Sequence, residues 1–326
     1  MLGHSYAQTY EMRTTGELAE WRSGKVFDKS NFGSILQGQM HRDLWSQTLE
    51  VPVLDLASND SYYEVADLGG GEDTLFIEGE QGVRYALLHV NFDNKDNGFP
   101  TPATMPYGMV LATEYAKLSN IQVAANGWVK VSDHADLLGR FRGAFGNSVV
   151  LMQREVPNDD LSTKELINAQ KLTPGTNVNA RAYLRIRLLE IWMGDWQQVE
   201  DHLFWYLSGD EYVPVVRNWR TPFFAYNGLL PRGVRHSWNN REWRGFSGKI
   251  KDLPGLVLSS RPADERLLVT LNKEDWLQEV RTLRDLLSND EIARVVDMMP
   301  DHVSEEYKST LTGYLELRKY ALEETA

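Results

Sequence analysis

The sequence contains no cysteine, which excludes disulfides, thiolate nucleophiles, zinc fingers and iron–sulfur ligation. No run approaches the roughly 18 apolar residues of a membrane span. The N-terminus, MLGHSYAQTYEMRTTGELAEW, lacks the basic and apolar regions of a secretory leader. The seven histidines, at 4, 41, 89, 134, 202, 236 and 302, form no HxxxH or HxH pair, so no zinc signature exists. An excess of positive charge is lacking too: 34 basic against 46 acidic residues give a net charge of −12. Nucleic acid is therefore not an expected partner, because phosphate contacts need a basic face. These absences predict a soluble chain without a transmembrane segment, compatible with being one piece of a longer polypeptide.

What is present suits an ordinary folded protein. At 326 residues the chain exceeds the roughly 250–300 at which single cores stop growing, so two lobes are expected. Residues 1–45 are polar with scattered aromatics, and TTGELAEWRSG reads as a short helix or an extended approach segment. From Val51 the texture becomes strand-like. A Gly-rich turn, LGGGED, precedes TLFIEGEQGVRYALLHVNF, two β-rich runs joined across Glu80-Gln81-Gly82 as a hairpin. TPATMPYGMVLATEYAKLSN has Pro106 near its start and apolar residues at three- and four-residue spacing, predicting an amphipathic helix that ends at Asn120. IQVAANGWVKVS and GNSVVLMQREVP follow as strands, and Pro157 with Asn158–Asp160 breaks the pattern, placing the boundary between lobes at Gln153–Asp160.

Beyond that boundary the pattern turns helical. Ser162 with Glu165 three positions later is a capping-box signature for STKELINAQ. NARAYLRIRLLEIWMG reads as a long apolar-faced helix and EYVPVVRNWRTPFF as a strand and turn. Three tail helices each open on Asn or Ser as N-cap: NKEDWLQEVRTLRDLLS, NDEIARVVDMMP and SEEYKSTLTGYLELRKYALEE. The expected organisation is a 1–45 extension, a β-rich N-lobe over 46–157 and a helical C-lobe over 158–326, an α+β arrangement.

Chemistry-bearing motifs are sparse. Gly69, Gly70 and Gly71 would let backbone N–H groups approach an anion. The run is neither GxGxxG nor GxxxxGKS, and a strand follows it, so a plain turn is the simpler reading. Asp195, Glu200 and Asp201 lie close together, which leaves Asp195 and Asp201 as candidates for a magnesium site of oxygen ligands. Six residues apart, the two would not share a helix face. Arg232, Arg235, Arg241 and Arg244 fall within thirteen positions and read either as an anion site or as solvated arginines paired with surplus carboxylates.

Several stretches together resemble a family of bacterial envelope proteins in which the domain lies between a metallophosphoesterase and an outer-membrane barrel. The family's GGG-x-QT-x-SL is matched by GGGEDTLFI, YVLRSVNKD by YALLHVNFD, and RLFDMLIGDWDRHEDQWRW by RLLEIWMGDWQQVEDHLFW. RPVPRDRDQAFFRFDGLLP corresponds to VPVVRNWRTPFFAYNGLLP, and LSREDWLEAARELQ to LNKEDWLQEVRTLR. The resemblance runs in order over roughly residues 40 to 322. It implies a two-lobed protein-kinase-like fold, because IGDWDRH resembles the catalytic loop of atypical kinases. Such a site needs a strand lysine on the phosphates, an aspartate at the acceptor hydroxyl and a metal-binding aspartate. Here the lysine position is Phe92, the DRH positions are Gln197, Gln198 and Val199, and the two aspartates of RDRD become Asn218 and Arg220. Gly194, Asp195, Trp196, Trp205, Arg217, Phe223 and Phe224 match.

The resemblance thus implies a degenerate kinase-like domain that binds or scaffolds another protein or an anionic small molecule, without a cofactor, in or near the periplasm or outer membrane. An alternative keeps phosphotransfer or nucleotidyl transfer with ATP and Mg through relocated residues: Lys95 for Phe92, and Asp195, Asp201 and Asn218 around the metal. A further alternative is an anion or lipid-headgroup site on Arg217, Arg220, Arg232 and Arg235.

Overall fold

A computed structural model describes residues 16–21, 41, 44–45, 47–56, 64–66, 74–79, 83–89, 105–124, 126–133, 138–155, 160–172, 176–196, 202–225 and 245–325. The chain divides into two units: Met1–Asp28 with Trp45–Thr101 and Ala124–Asp159, and Lys29–Leu44 with Pro102–Val123 and Asp160–Ala326. The first is β-rich and the second mostly helical, so the fold is α+β.

The first unit is built on a seven-stranded mixed sheet in the order β1-β2-β6-β7-β5-β4-β3. Its strands are β1 (Leu18–Trp21), β2 (Leu49–Leu54), β3 (Glu64–Ala66), β4 (Thr74–Glu78), β5 (Arg84–His89), β6 (Asn126–Val131) and β7 (Val149–Arg154). Within TTGELAEWRSG, open between helix and extended chain in the sequence, Leu18–Trp21 are extended and pair antiparallel with β2. The predicted hairpin forms as β4 and β5, Thr74 facing Leu88 and Glu78 facing Arg84. In β4 the alternation of the apolar residues puts Leu75 and Ile77 inward. β7 lies between β5 and β6. Every one of its residues is buried, which is why VVLMQR reads as an unbroken run rather than an alternating one. These inward residues join Leu54, Val129, Val131 and, from a short helix α2 (Arg142–Phe145) after the sheet's sixth strand, Phe145 in one core.

In the second unit, helix α1 (Gly108–Leu118) begins at the predicted place. It ends as Asn120 takes φ 54°, a left-handed conformation that Asn accepts more readily than most residues. A Cβ on Gly108 would sit 3.1 Å from the Pro222 ring, so a side chain at the start of α1 would press on Pro222. A four-stranded sheet, β8-β10-β11-β9, joins β8 (Leu161–Ser162), β9 (Asn177–Val178), β10 (Leu203–Ser208) and β11 (Glu211–Val216). Ser162 and Glu165 form the predicted box at the start of α3 (Thr163–Leu172): the Ser162 hydroxyl accepts from the Glu165 N–H, and Glu165 accepts from the Ser162 N–H.

Helix α4 (Ala180–Met193) is buried along nearly its whole length, including the charged Arg187 and Glu190. The helices α5 (Leu253–Leu256), α6 (Arg261–Leu267), α7 (Lys273–Leu286), α8 (Asn289–Val296) and α9 (Glu305–Thr325) follow, and α7 and α9 pack against α4. Asn272 caps α7 with Asp275 in a full capping box. The cap of α8 is Ser288 rather than the expected Asn289: its hydroxyl accepts from the Glu291 N–H, and Asn289 becomes the first helical residue. Trp192 anchors α4, donating from its indole to the Leu315 carbonyl at 2.9 Å with Tyr115 edge-on at 4.9 Å. Among the described residues no helix is long and apolar enough to cross a membrane.

Candidate functional site

The helix carrying LLEIWM ends on Gly194, whose φ of +70° only glycine adopts without a penalty. The Gly194 N–H reaches back to the Ile191 carbonyl and the Asp195 N–H to the Glu190 carbonyl at 2.9 Å, closing the last turn. This geometry turns the chain sharply and directs Asp195 into the interior, where it is buried. Its Oδ1 accepts from the Thr221 hydroxyl at 2.7 Å and the Thr221 N–H at 3.1 Å, and its Oδ2 from the Arg220 N–H at 3.2 Å. Burial, and next the nearby Glu190 charge, raise the Asp195 carboxyl to about 6. Asp195 therefore ties the end of α4 to the segment that follows β11.

That segment, 217–225, is fixed along its length. Arg217 N–H donates to the His202 carbonyl at 2.8 Å, and Phe223 N–H to the Met193 carbonyl at 2.9 Å. Phe223 takes φ 60°, in the left-handed region that L-residues rarely occupy, with its ring buried edge-on against Tyr115 and Phe246. Its carbonyl accepts from His41 Nε2 at 2.6 Å, while His41 Nδ1 accepts from the Tyr307 hydroxyl at 2.7 Å. With one ring nitrogen donating and the other accepting, His41 is neutral, and burial lowers it to about 4. Asn218 is buried and Arg217 and Arg220 are half-buried beside it.

A second polar group runs along α4. Arg187, 3% exposed, pairs with Glu190, donates from Nε to Asp264 at 2.9 Å and also contacts Ser260. Asp264 accepts further from the Tyr183 hydroxyl at 2.7 Å and the Ser260 hydroxyl at 2.8 Å. Glu190 also lies 3.1 Å from His202 Nε2. Burial opposes ionisation of Glu190, but the charges of Arg187 and His202 outweigh it and hold the carboxyl below its ordinary range. A cavity of about 400 Å³ opens beside this group, walled mainly by Leu188, Ile191, Leu253, Val257, Leu268 and Trp276.

Of the residues singled out from the sequence, Asp195 at the end of α4 meets Arg220, and Arg217 and Asn218 lie in the same segment as Arg220. Gly69, Gly70, Gly71, Phe92, Lys95, Gln197, Asp201, Arg232, Arg235, Arg241 and Arg244 lie outside the described residues. No group of three or more acidic or histidine side chains that could hold a metal ion occurs among the described residues. Sequence reasoning did not find the Arg187–Glu190 group, His41 or its partner Tyr307. A signal for the first was available: two opposite charges three residues apart in the apolar second half of the helix, LRIRLLEIWM. For His41 no local signal exists, since its partners are 182 and 266 positions away.

No family model and no curated protein matches the chain. Among solved structures it is similar to the Helicobacter pylori proinflammatory kinase CtkA, with 12% identity over 84% of this chain and 98% of that one and a TM-score of 0.47. It is also similar to a chain of the Shewanella oneidensis MR-1 toxin–antitoxin complex of HipA, HipB and operator DNA, at 12% identity over 97% of this chain and 74% of that one, with a TM-score of 0.36.

Proposed function

We propose that this chain is a kinase-like domain that no longer transfers phosphate and that serves as a binding or scaffolding module for another protein or an anionic small molecule. The observation that carries the proposal lies after β11. Where the resemblance puts two metal-binding aspartates stand Asn218 and Arg220, and the nearby carboxylate of Asp195 is turned inward onto the Arg220 and Thr221 N–H groups. A guanidinium in place of a carboxylate repels a cation instead of ligating it. Phosphoryl transfer works by positioning and by neutralising phosphate charge with metal ions, so these losses, with Phe92 and Gln197 at the other two positions, remove its main terms. What persists is the frame: the turn at Gly194, the Asp195 clasp and the buried Phe223. An envelope setting rests on the same resemblance and is part of the proposal.

The deciding measurement pairs a phosphotransfer assay on labelled ATP with a thermal-shift titration of ATP and magnesium. No transfer and no magnesium-dependent stabilisation are expected, since a ligand of the native state adds RT ln(1 + [L]/Kd). Transfer that disappears in Lys95→Ala or Asp201→Asn would overturn the proposal in favour of a relocated active site.

A further inference from the structure

Arg318, on α9, is 3% exposed and lies over the Phe246 ring, 5.0 Å from its centroid. Its Nε donates to the Trp192 carbonyl at 2.6 Å, its Nη1 to those of Ser247 and Lys249 at 3.1 and 3.2 Å, and its Nη2 to that of Ile191 at 2.5 Å. A guanidinium has five N–H groups, so one on Nη2 is left over. All four partners are neutral carbonyls, and burial lowers Arg318 to about 9. Two of the carbonyls belong to the last turn of α4, whose end carries roughly half a negative charge. The guanidinium is therefore met by carbonyl dipoles, and among the described residues it hydrogen-bonds no carboxylate.

The Nη2 side borders a small cleft lined by Gly194, Phe246, Lys249, Lys251, Asp252 and Arg318, among others. Gly194 leaves the space beside Nη2 open, since a Cβ there would sit 3.5 Å from that atom. The cleft holds about 10 Å³, room for roughly one oxygen-sized atom. Its lining carries three positive groups and one negative, and the negative one, Asp252, accepts the Gly255 N–H as the cap of α5. Lys249 and Lys251 are exposed at its rim.

We propose that this cleft is a binding site for one phosphate-type oxyanion, a single oxygen of which seats against the spare Nη2–H while Lys249 and Lys251 neutralise the remaining charge. The site uses none of the positions substituted in the kinase-like pattern and none of the arginines at 217, 220, 232 and 235. It stands whether or not the chain transfers phosphate. Free phosphate and a phosphomonoester present the same oxygens, so both fit the cleft, and their relative affinities identify the source.

The test is thermal unfolding of the full chain in inorganic phosphate, and separately in O-phosphoserine, with ionic strength held constant by sodium chloride. A saturable rise of about 3 °C at ten times Kd is expected with at least one of the two. The rise should vanish in Lys249→Ala/Lys251→Ala, two exposed positions whose change leaves the ligand-free Tm within about 1 °C. A rise that grows linearly without saturating, and equally in the double variant, reflects general salt exclusion and overturns the site. Equilibrium dialysis of the unmodified chain gives an independent count. One phosphate or one O-phosphoserine per chain supports the cleft, and none of either bound at millimolar concentration refutes it.

Discussion

At the scale of single residues, two buried titratable groups set opposite pH dependences in the helical unit. Asp195 is raised from 3.8 to about 6. Its contribution to stability is therefore fully present below about pH 4 and is lost as pH rises through 6. Two pKa units correspond to about 3 kcal/mol at most, so in Asp195→Asn the decline between pH 4 and 6 should flatten by that order in urea unfolding. His41 is lowered from 6.5 to about 4. Its contribution is present above pH 6.5 and is lost as pH falls through 4, so His41→Gln should remove part of the acid-side loss of stability, again of order 3 kcal/mol. Parallel slopes in both variants and the parent would refute both assignments. Gly194 makes a sharper prediction. An added Cβ meets the left-handed penalty of about 1–2 kcal/mol and also lies 3.2 Å from the Phe246 ring, so Gly194→Ala should lower the urea midpoint with an unchanged m-value.

At the scale of elements, α4 is both the central packing helix and the carrier of a buried charge network. Removing one member strands the others: Glu190→Leu should cost about 3–5 kcal/mol, whereas replacing Glu190 and Arg187 together by apolar residues should cost less than the sum. A double-mutant cycle by denaturant unfolding measures the difference, and additive costs would show that the pair is not coupled. Elements whose cause is local were legible in the sequence. The Ser162–Glu165 box, the β4–β5 hairpin and the helix ending at Asn120 each follow from a few adjacent residues. Elements whose cause is distant were not. The pairing of β1 with β2 and the parallel pairing of β2 with β6 depend on partners far along the chain, so TTGELAEWRSG alone fits a helix as well as a strand. The α8 cap was misplaced by one residue because Ser288 and Asn289 are both good caps, and only the backbone entry angle selects between them.

At the scale of the whole molecule, a net charge of −12 implies self-repulsion that salt relieves. Tm should rise modestly between about 0.05 and 0.3 M sodium chloride, where the Debye length falls below 10 Å, and duplex DNA should show no binding in a mobility-shift assay even at low salt. Much of the candidate site could be read from residue identity, because Asn218 and Arg220 are informative wherever they lie. The inward turn of Asp195 could not, since a carboxylate that ligates a metal and one that clasps a backbone look alike in a sequence. The His41–Phe223–Tyr307 contact adds a consequence for the order of assembly. Its three members come from residue 41, the segment after β11 and helix α9, with separations of 182 and 266 residues from His41. During synthesis His41 emerges early and has no partner until α9 leaves the ribosome. The left-handed Phe223 cannot be held from both sides before then, which makes closure of the helical unit a late event set by chain length rather than by local helix formation.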